Sequence, residues 1–380
     1  MQQSIADRVA EIVRIPSVNP LQAGPRSGDG GERDLALWLA DRVDAMGGEV
    51  VVDDVLDGRP NVYARFAGST DRALTVDVHL DTVGVENMAR DPFDGAIEDG
   101  RVFGRGSVDT KATLAVVMHV LDELRTQGRR PGPTVNLVGT VSEEVGGLLG
   151  AARYAEWLGS HGQDIDQLVV AEPTSCRPVY GHKGGVGLEI TVHGHAAHSS
   201  KPHLGQNAIS AAARIVTALD VEHERLVATA PTTAVGTGTI SVNEVQGGLA
   251  RNIVPDCCSL FAGRRLAPGE DPGRVFAGLT DLVERSATPL DVDVVMQYGH
   301  GFEAFYQDPD SPLIHTLSDL AGASPETAAY GSNALMYGSL ANEAVVFGPG
   351  SIDQAHQAVE WVDISELERA ADIYRHLLGR

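Results

Sequence analysis

Residues 111–141 read KATLAVVMHVLDELRTQGRRPGPTVNLVGTV, and two hydrophobic patterns follow one another in this segment. From Leu114 to Leu124, apolar side chains recur every three or four residues, which predicts a helix over 111–127. Residues 134–141 then form a short apolar run that is typical of a buried strand. A helix that leads into a buried strand is the unit from which helix-covered parallel sheets are built.

The same alternation extends to both sides of this segment. Further helix patterns cover 32–46, 312–321 and 364–378, and further strand patterns cover 74–80, 167–171 and 344–347. Because strands and helices alternate along the chain, the sequence predicts the α/β fold class, with a mainly parallel sheet covered by helices.

Between residues 181 and 297 the pattern changes. The segments read strand 186–192, helix 207–219, strand 235–245, strand 257–264, helix 271–285 and strand 290–296. This β-α-β-β-α-β order is the split βαβ arrangement of ferredoxin-like folds. The sequence therefore predicts one α/β domain made of 1–180 and 298–380, interrupted by an inserted α+β domain over 181–297.

Composition narrows the classes of function. The chain has 380 residues and a formal net charge of −23, which repels phosphate backbones and argues against a nucleic-acid partner. No window approaches the run of about 18 apolar residues that a membrane span needs, and the first residues lack the pattern of a signal peptide. The three cysteines, Cys176, Cys257 and Cys258, cannot all pair, and a reducing compartment suits them. A cytoplasmic protein without a membrane partner is expected.

Polar side chains follow three of the predicted strands. His79 and Asp81 stand two residues apart and therefore point to one side of their strand, where Asp81 could serve as partner for the imidazole. Glu143 and Glu144 follow the next strand and Glu172 the one after it. Ligand sites in α/β sheets gather at the carboxyl ends of strands, so we expect these residues to meet. The plainer alternatives are a surface His-Asp pair and a solvated acidic turn.

Two loops add further candidates. Asp109 directly precedes the helix of 111–127 and is either a helix cap or a metal ligand. His356 ends a loop that begins Gly348-Pro349-Gly350 and is otherwise an ordinary surface residue. Imidazoles mixed with carboxylates suit zinc, with cobalt or manganese as alternatives. Two such ions about 3.5–4 Å apart, joined by a bridging carboxylate, would use the whole set.

The order and spacing of these motifs resemble those of the co-catalytic zinc metallopeptidases and deacylases. That family includes acetylornithine deacetylase, succinyl-diaminopimelate desuccinylase, aminoacylases and glutamate carboxypeptidases, and the resemblance runs from about residue 10 to the C-terminus. It implies that His79 and Glu172 hold one metal ion, that Glu144 and His356 hold the other, and that Asp109 bridges the two.

The resemblance also implies roles for residues that are not ligands. Glu143 would be the general base and acid, and Asp81 would orient His79. The inserted domain would act as a lid and make the contact of a homodimer, in which His198 would stabilise the oxyanion in the partner's site. The residues that match substrate-binding positions are Arg251, Asn252, Arg265, Asn333 and Gly350. Arg251 and Arg265 are otherwise ordinary surface arginines.

The loop 348–357 and the segment 182–184 resemble acetylornithine deacetylases most. The function that this implies is hydrolysis of the amide bond of a small N-acyl amino acid, which releases a carboxylate and a free amino acid. Asn333 stands where such proteins commonly carry an acidic residue that could pair with a cationic substrate. The alternatives are a dipeptidase or carboxypeptidase, a succinyl-diaminopimelate desuccinylase-type activity, and a non-catalytic binding protein on the same scaffold.

Overall fold

The computed structural model describes residues 3–28 and 30–379. Among these residues, the α-helices are α1 (Ile5–Val13), α2 (Arg33–Ala45), α3 (Lys111–Thr126), α4 (Leu149–His161), α5 (Ala208–Thr229), α6 (Pro272–Ala287), α7 (Pro312–Ala321), α8 (Ala334–Tyr337) and α9 (Ile364–Gly379). The β-strands are β1 (Glu49–Leu56), β2 (Arg59–Phe66), β3 (Ala73–His79), β4 (Ile97–Glu98), β5 (Arg101–Phe103), β6 (Thr134–Thr140), β7 (Ile165–Val170), β8 (Val179–His182), β9 (Gly184–His193), β10 (Thr239–Gly247), β11 (Cys257–Leu266), β12 (Asp291–Met296), β13 (Phe305–Tyr306), β14 (Glu326–Ala328), β15 (Ala341–Val346) and β16 (Trp361–Asp363).

The described residues form two compact units. The first unit contains the chain up to Tyr180, the segment Gln307–Glu326 and the residues from Ser332 onward. The second unit contains Gly181–Tyr306 and Thr327–Gly331. Each unit buries a cluster of apolar side chains of its own, as separately packed units do.

The first unit is built on a sheet with the strand order β1-β2-β6-β3-β7-β15-β8. Its central strands β6, β3, β7 and β15 pair in parallel, and β1 and β2 add an antiparallel edge. Helix α3 is buried along most of its length and packs against α1 and α9. The predicted α/β class, with a mainly parallel sheet covered by helices, is confirmed.

The second unit has an antiparallel sheet with the order β10-β11-β9-β12. Alternate residues of β9, from Val186 to Val192, are buried against α5 and α6, while Glu189 between them is exposed. This is the period-two pattern of a sheet that is covered on one face. The predicted β-α-β-β-α-β order is confirmed.

Two differences from the predicted elements have local causes. Helix α5 continues to Thr229, ten residues beyond the predicted end at 219, because Leu226 still packs into the core of the second unit. The β1–β2 hairpin was not predicted, since β1 is mostly exposed and shows little apolar alternation. Among the helices of residues 3–28 and 30–379, none is both long enough and apolar enough to cross a bilayer.

Candidate metal centre

The parallel register of the first unit brings three strand ends to one edge of the sheet. His79, the last residue of β3, lies opposite Thr140, the last residue of β6. On its other side β3 pairs with β7, where Asp77 lies opposite Val170. Residues that follow these strands therefore emerge beside His79, as ligand sites of parallel sheets require.

Asp109 lies between two histidines. Its Oδ1 is 3.1 Å from Nε2 of His79, and its Oδ2 is 3.2 Å from Nε2 of His356. Helix α3 begins at Lys111 and has Thr110 as its N-cap residue, so Asp109 is not the cap. A carboxylate that turns one oxygen to each of two imidazoles has the arrangement of a bridging ligand.

The remaining predicted ligands join the same cluster. Glu144 is 3.1 Å from Nε2 of His356 through its Oε2. Possible ligand atoms of His79, Asp109 and Glu144 lie within 4.8 Å of one another, and so do those of His79, Glu143 and Glu172. The five predicted ligands and Glu143 thus converge, although they come from five separate regions of the chain.

The carboxylates of this cluster are withdrawn from water. The relative exposure of Glu172 is 4%, and that of the Glu144 side chain is 6%. Burial, reinforced by the charge of Asp109, raises the pKa of both carboxyl groups, and that of Glu172 stands well above its usual value. Burial likewise raises the pKa of Glu143 far above its usual value. These are therefore not the solvated acids of an ordinary turn.

For the imidazoles, burial and the neighbouring carboxylates act on the pKa in opposite directions. Burial by itself lowers the pKa of His79, but the hydrogen bond to Asp109 and the surrounding negative charges outweigh it and raise the pKa well above normal. Hydrogen bonds to Asp109 and Glu144 raise the pKa of His356 to about 10. The raised pKa values of the two imidazoles and of the three glutamates mean that this cluster favours bound protons. Divalent cations that displace these protons fit this donor set.

Asp81 is fully buried and does not use its carboxylate in the predicted way. The ring of His79 contacts the backbone carbonyl of Asp81 through Nδ1 at 2.9 Å, whereas the nearest carboxylate oxygen of Asp81 is 3.7 Å away. That carboxylate instead accepts the backbone N–H groups of Glu143 and Glu144, each at 3.0 Å. The main-chain carbonyl of Asp81 thus lies against the ring of His79, and its carboxylate binds the backbone of the Glu143–Glu144 turn.

Close packing shapes the loop that carries His356. A Cβ added to Gly348 would stand 2.6 Å from the carbonyl oxygen of Glu172, so only glycine fits there. Gly350 has a φ of 78° and lies against Val108, whose Cγ2 methyl occupies the place where a Cβ would be. The loop is thereby set against the residue that precedes Asp109.

A buried ion pair that the sequence analysis did not identify joins the same two loops. Glu360 binds the guanidinium of Arg105 and accepts the N–H of Val108 at 3.2 Å. Both charged residues are 1% exposed. Glu360 follows His356 in the same loop, and Arg105 lies in the loop of Asp109. A lone glutamate in a polar loop gives no periodic signal, so only the position next to His356 could have suggested it.

In the second unit, two extended segments place other predicted residues side by side. His198 pairs with Ile253, and Ser199 donates its N–H to the carbonyl of Asn252 at 2.9 Å. Nδ1 of His198 accepts the N–H of Ser200 at 3.2 Å, so the ring proton lies on Nε2. Arg251 is exposed beside this pair. Arg265 is exposed near the end of β11.

Comparison with known proteins assigns the chain to a family. The family profile described as peptidase family M20/M25/M40 matches residues 75–380. The chain is a member of this family. It is 32% identical over 314 residues to an acetylornithine deacetylase of Myxococcus xanthus, with 80% of this chain and 78% of that protein covered.

Solved structures of other M20 proteins share the fold. One is a metallo-carboxypeptidase from Sulfolobus solfataricus, with a TM-score of 0.80 at 18% identity over 99% of this chain and 98% of that one. Another is a dinuclear metal binding peptidase from Bacillus subtilis, with a TM-score of 0.66 at 15% identity over 98% and 96% of the two chains. As an M20 protein, this chain is a metal-dependent hydrolase of the metallopeptidase and deacylase type.

Two predicted substrate-binding residues of this M20 chain lie in the protein interior. Asn333 is 1% exposed, and its amide donates to Asp77 and Thr140, each at 2.9 Å. The N–H of Gly350 contacts Glu366 at 3.4 Å, and its carbonyl accepts from Ser175. Both residues thus make hydrogen bonds within the first unit.

Proposed function

We propose that the protein deacylates an N-acyl amino acid by metal-assisted hydrolysis of the amide bond. The observation that carries the proposal is the position of Asp109, whose two oxygens face His79 and His356, beside the half-buried Glu143. The likeness to an acetylornithine deacetylase of Myxococcus xanthus supports deacylation.

His79 and Glu172 are proposed to hold one divalent ion, and Glu144 and His356 the other, with Asp109 shared between them. Zinc suits this mixture of nitrogen and oxygen donors best, and cobalt or manganese would also fit. When bound, two such ions polarise the substrate carbonyl and lower the pKa of a water from about 15.7 toward 7. The dinuclear M20 peptidase of Bacillus subtilis supports two ions.

Glu143 is the proposed proton carrier. It takes the proton of the attacking water, and it returns that proton to the amine nitrogen as the C–N bond breaks. Burial, together with the negative charge of Glu144, raises its pKa well above normal, which favours its taking up the proton of the water. The products are a carboxylate and a free amino acid.

The second unit is proposed to serve as the lid and as the contact of a homodimer. Nε2–H of His198 is free of the hydrogen bond that engages Nδ1 and is suited to donate to a developing oxyanion. Arg251, Asn252 and Arg265 are proposed to bind the substrate carboxylate and carbonyl, since guanidinium groups pair with carboxylates in a bidentate manner.

A substrate panel tests the proposal. Metal-replete protein is assayed on N-acyl amino acids that vary in side chain and acyl group, and in parallel on dipeptides. The highest kcat/KM is expected on an N-acyl amino acid. Glu143→Gln is expected to lower kcat by about 10²–10⁴-fold with unchanged metal content, while the exposed Glu368→Gln serves as control. A preference for dipeptides, or a native protein that retains no divalent metal, would contradict the proposal.

A further inference from the structure

The turn that carries Glu143 and Glu144 is held by its main chain. Its first residue, Ser142, is fully buried with a φ of 66°. Three consecutive N–H groups are taken up by two buried carboxylates. Ser142 donates to Glu32 at 3.2 Å, and Glu143 and Glu144 donate to the two oxygens of Asp81, each at 3.0 Å. The direction in which both glutamate side chains leave the turn therefore depends on Asp81 and Glu32.

Asn19, in the N-terminal part of the chain, supports the same turn together with Asp81 and Glu32. Its amide nitrogen donates to Asp81 at 2.8 Å and to the carbonyl of Val145 at 2.9 Å, so both of its N–H groups are used. Its Oδ1 accepts the N–H of Leu21 at 3.1 Å. Asn19 is fully buried and links the carboxylate that holds the turn to the last residue of the turn.

Backbone pairing fixes Asn19 and Glu32 in these places. Val18 forms a parallel bridge with Thr82, and the N–H of Asn19 donates to the carbonyl of Thr82 at 2.9 Å. The N–H of Gly31 donates to the carbonyl of Val18 at 2.8 Å, which brings Glu32 alongside. Arg59 then binds both oxygens of Glu32. Asn19 and Glu32 are thus each held in place by contacts outside the turn.

We propose that Asn19 and Glu32 are positioning residues, which act through Asp81 and through the backbone of residues 142–145 to aim Glu143 and Glu144 at the metal centre. Both precede residue 75, where the family match begins. The inference rests on the proposed roles of Glu143 as base and Glu144 as ligand. Groups that orient ligands from behind typically change metal affinity or activity by about 10–100-fold when they are removed.

The test of Asn19 uses Asn19→Ala, which removes both donors, and Asn19→Ser, which can keep one. Asn136→Ala is the control, because that amide lies at the far end of β6 and makes a 3.4 Å contact with Thr75. Amide hydrogen exchange of 142–145, zinc affinity by chelator competition, and kcat and KM per folded molecule are measured. Asn19→Ala is expected to speed amide exchange at 142–145. It is also expected to lower zinc affinity or kcat about 10–100-fold with KM unchanged. Asn19→Ser is expected to show smaller changes in the same quantities.

Glu32→Gln tests the other support. It keeps the shape but removes the charge that pairs with Arg59, and faster exchange at Ser142 with a lower kcat is expected. Glu11→Gln is the matched control, since Glu11 also pairs with an arginine, Arg42, but on α1. Neither control variant is expected to change exchange at the turn.

The outcomes separate the two proposals. If the wild-type protein hydrolyses no N-acyl amino acid, the proposed function fails, while exchange and zinc affinity still report on the turn. If Asn19→Ala does not fold, Asn19→Ser decides. A lower melting temperature with wild-type exchange at 142–145, zinc affinity and kcat would make Asn19 merely structural and would overturn the inference.

Discussion

Glu143 and Glu144 are neighbours in the chain, and each lies close to another carboxylate: Glu144 to that of Asp109, and Glu143 to that of Glu172. Placing several carboxylates together in a buried site is unfavourable unless positive charge compensates them. The pKa values of Glu143, Glu144 and Glu172 are raised for this reason, which means that the three groups release their protons less readily than free carboxyl groups do. Bound cations would supply the compensating charge, and so metal binding is expected to stabilise the folded state.

Lys111 offers a pH test at the scale of one residue. It is 1% exposed, its Nζ donates to the carbonyl of Ile15 at 2.7 Å, and burial lowers its pKa to about 7. The unfolded chain keeps the proton up to about pH 10.4, so between pH 7 and 8.5 it binds more protons than the folded protein does. The free energy of unfolding should therefore rise with pH in this window, with a slope of at most about 1.4 kcal/mol per pH unit.

The measurement is denaturant unfolding of wild type and Lys111→Met across pH 7–8.5 in the same buffer. The difference between the two proteins isolates this group, because other titrations cancel. Methionine has no proton to lose, so the free energy of unfolding of the variant, minus that of the wild type, should decrease as pH rises. A difference that stays constant with pH would show that the pKa of Lys111 is not lowered in the folded protein.

At the scale of elements, the ends of β3, β6 and β7 bring the site together, and the loops hold it. The strands were predictable because their apolar runs are bounded and short. The contacts of the loops were not, since Glu360, Asn19 and Glu32 meet partners that lie far away along the chain. Polar loop residues show no period, and their partners follow from register and packing alone.

Gly350→Ala tests the packing of one such loop. Gly350 and Gly322 both have positive φ, so alanine should cost each about 1–2 kcal/mol of backbone strain. At Gly350 the new methyl would overlap Val108, whereas at Gly322 no atom of the described residues lies within 4 Å of it. Gly350→Ala should lose about a further 1–3 kcal/mol from overpacking and should lower metal affinity through Asp109. Equal stability losses and wild-type metal affinity in both variants would contradict this reading of the loop.

At the scale of the whole molecule, the two units carry different parts of the proposed chemistry. The residues of the candidate metal centre lie in the first unit, and His198, Arg251 and Arg265 lie in the second. His198→Ala is expected to lower kcat by about 10²–10³-fold, the usual loss for an oxyanion donor, with metal content unchanged. The exposed His203→Ala serves as control. Sedimentation velocity should show a dimer, and a fully active monomer would contradict a role across subunits.

The sequence alone determined the order of strands and helices, because the spacing of apolar residues and the glycines that end helices are properties of short segments. The proposed ligands can be identified from the sequence too, since they are conspicuous as polar residues at the ends of apolar strands or in glycine-rich loops: His79, Asp109, Glu144, Glu172 and His356. Only the tertiary structure determined which hydrogen bonds Asp81 makes and that Asn333 and Gly350 are buried. Those outcomes depend on distances between segments up to 256 residues apart, and such distances arise only when the sheet register and the packing of loops are satisfied together.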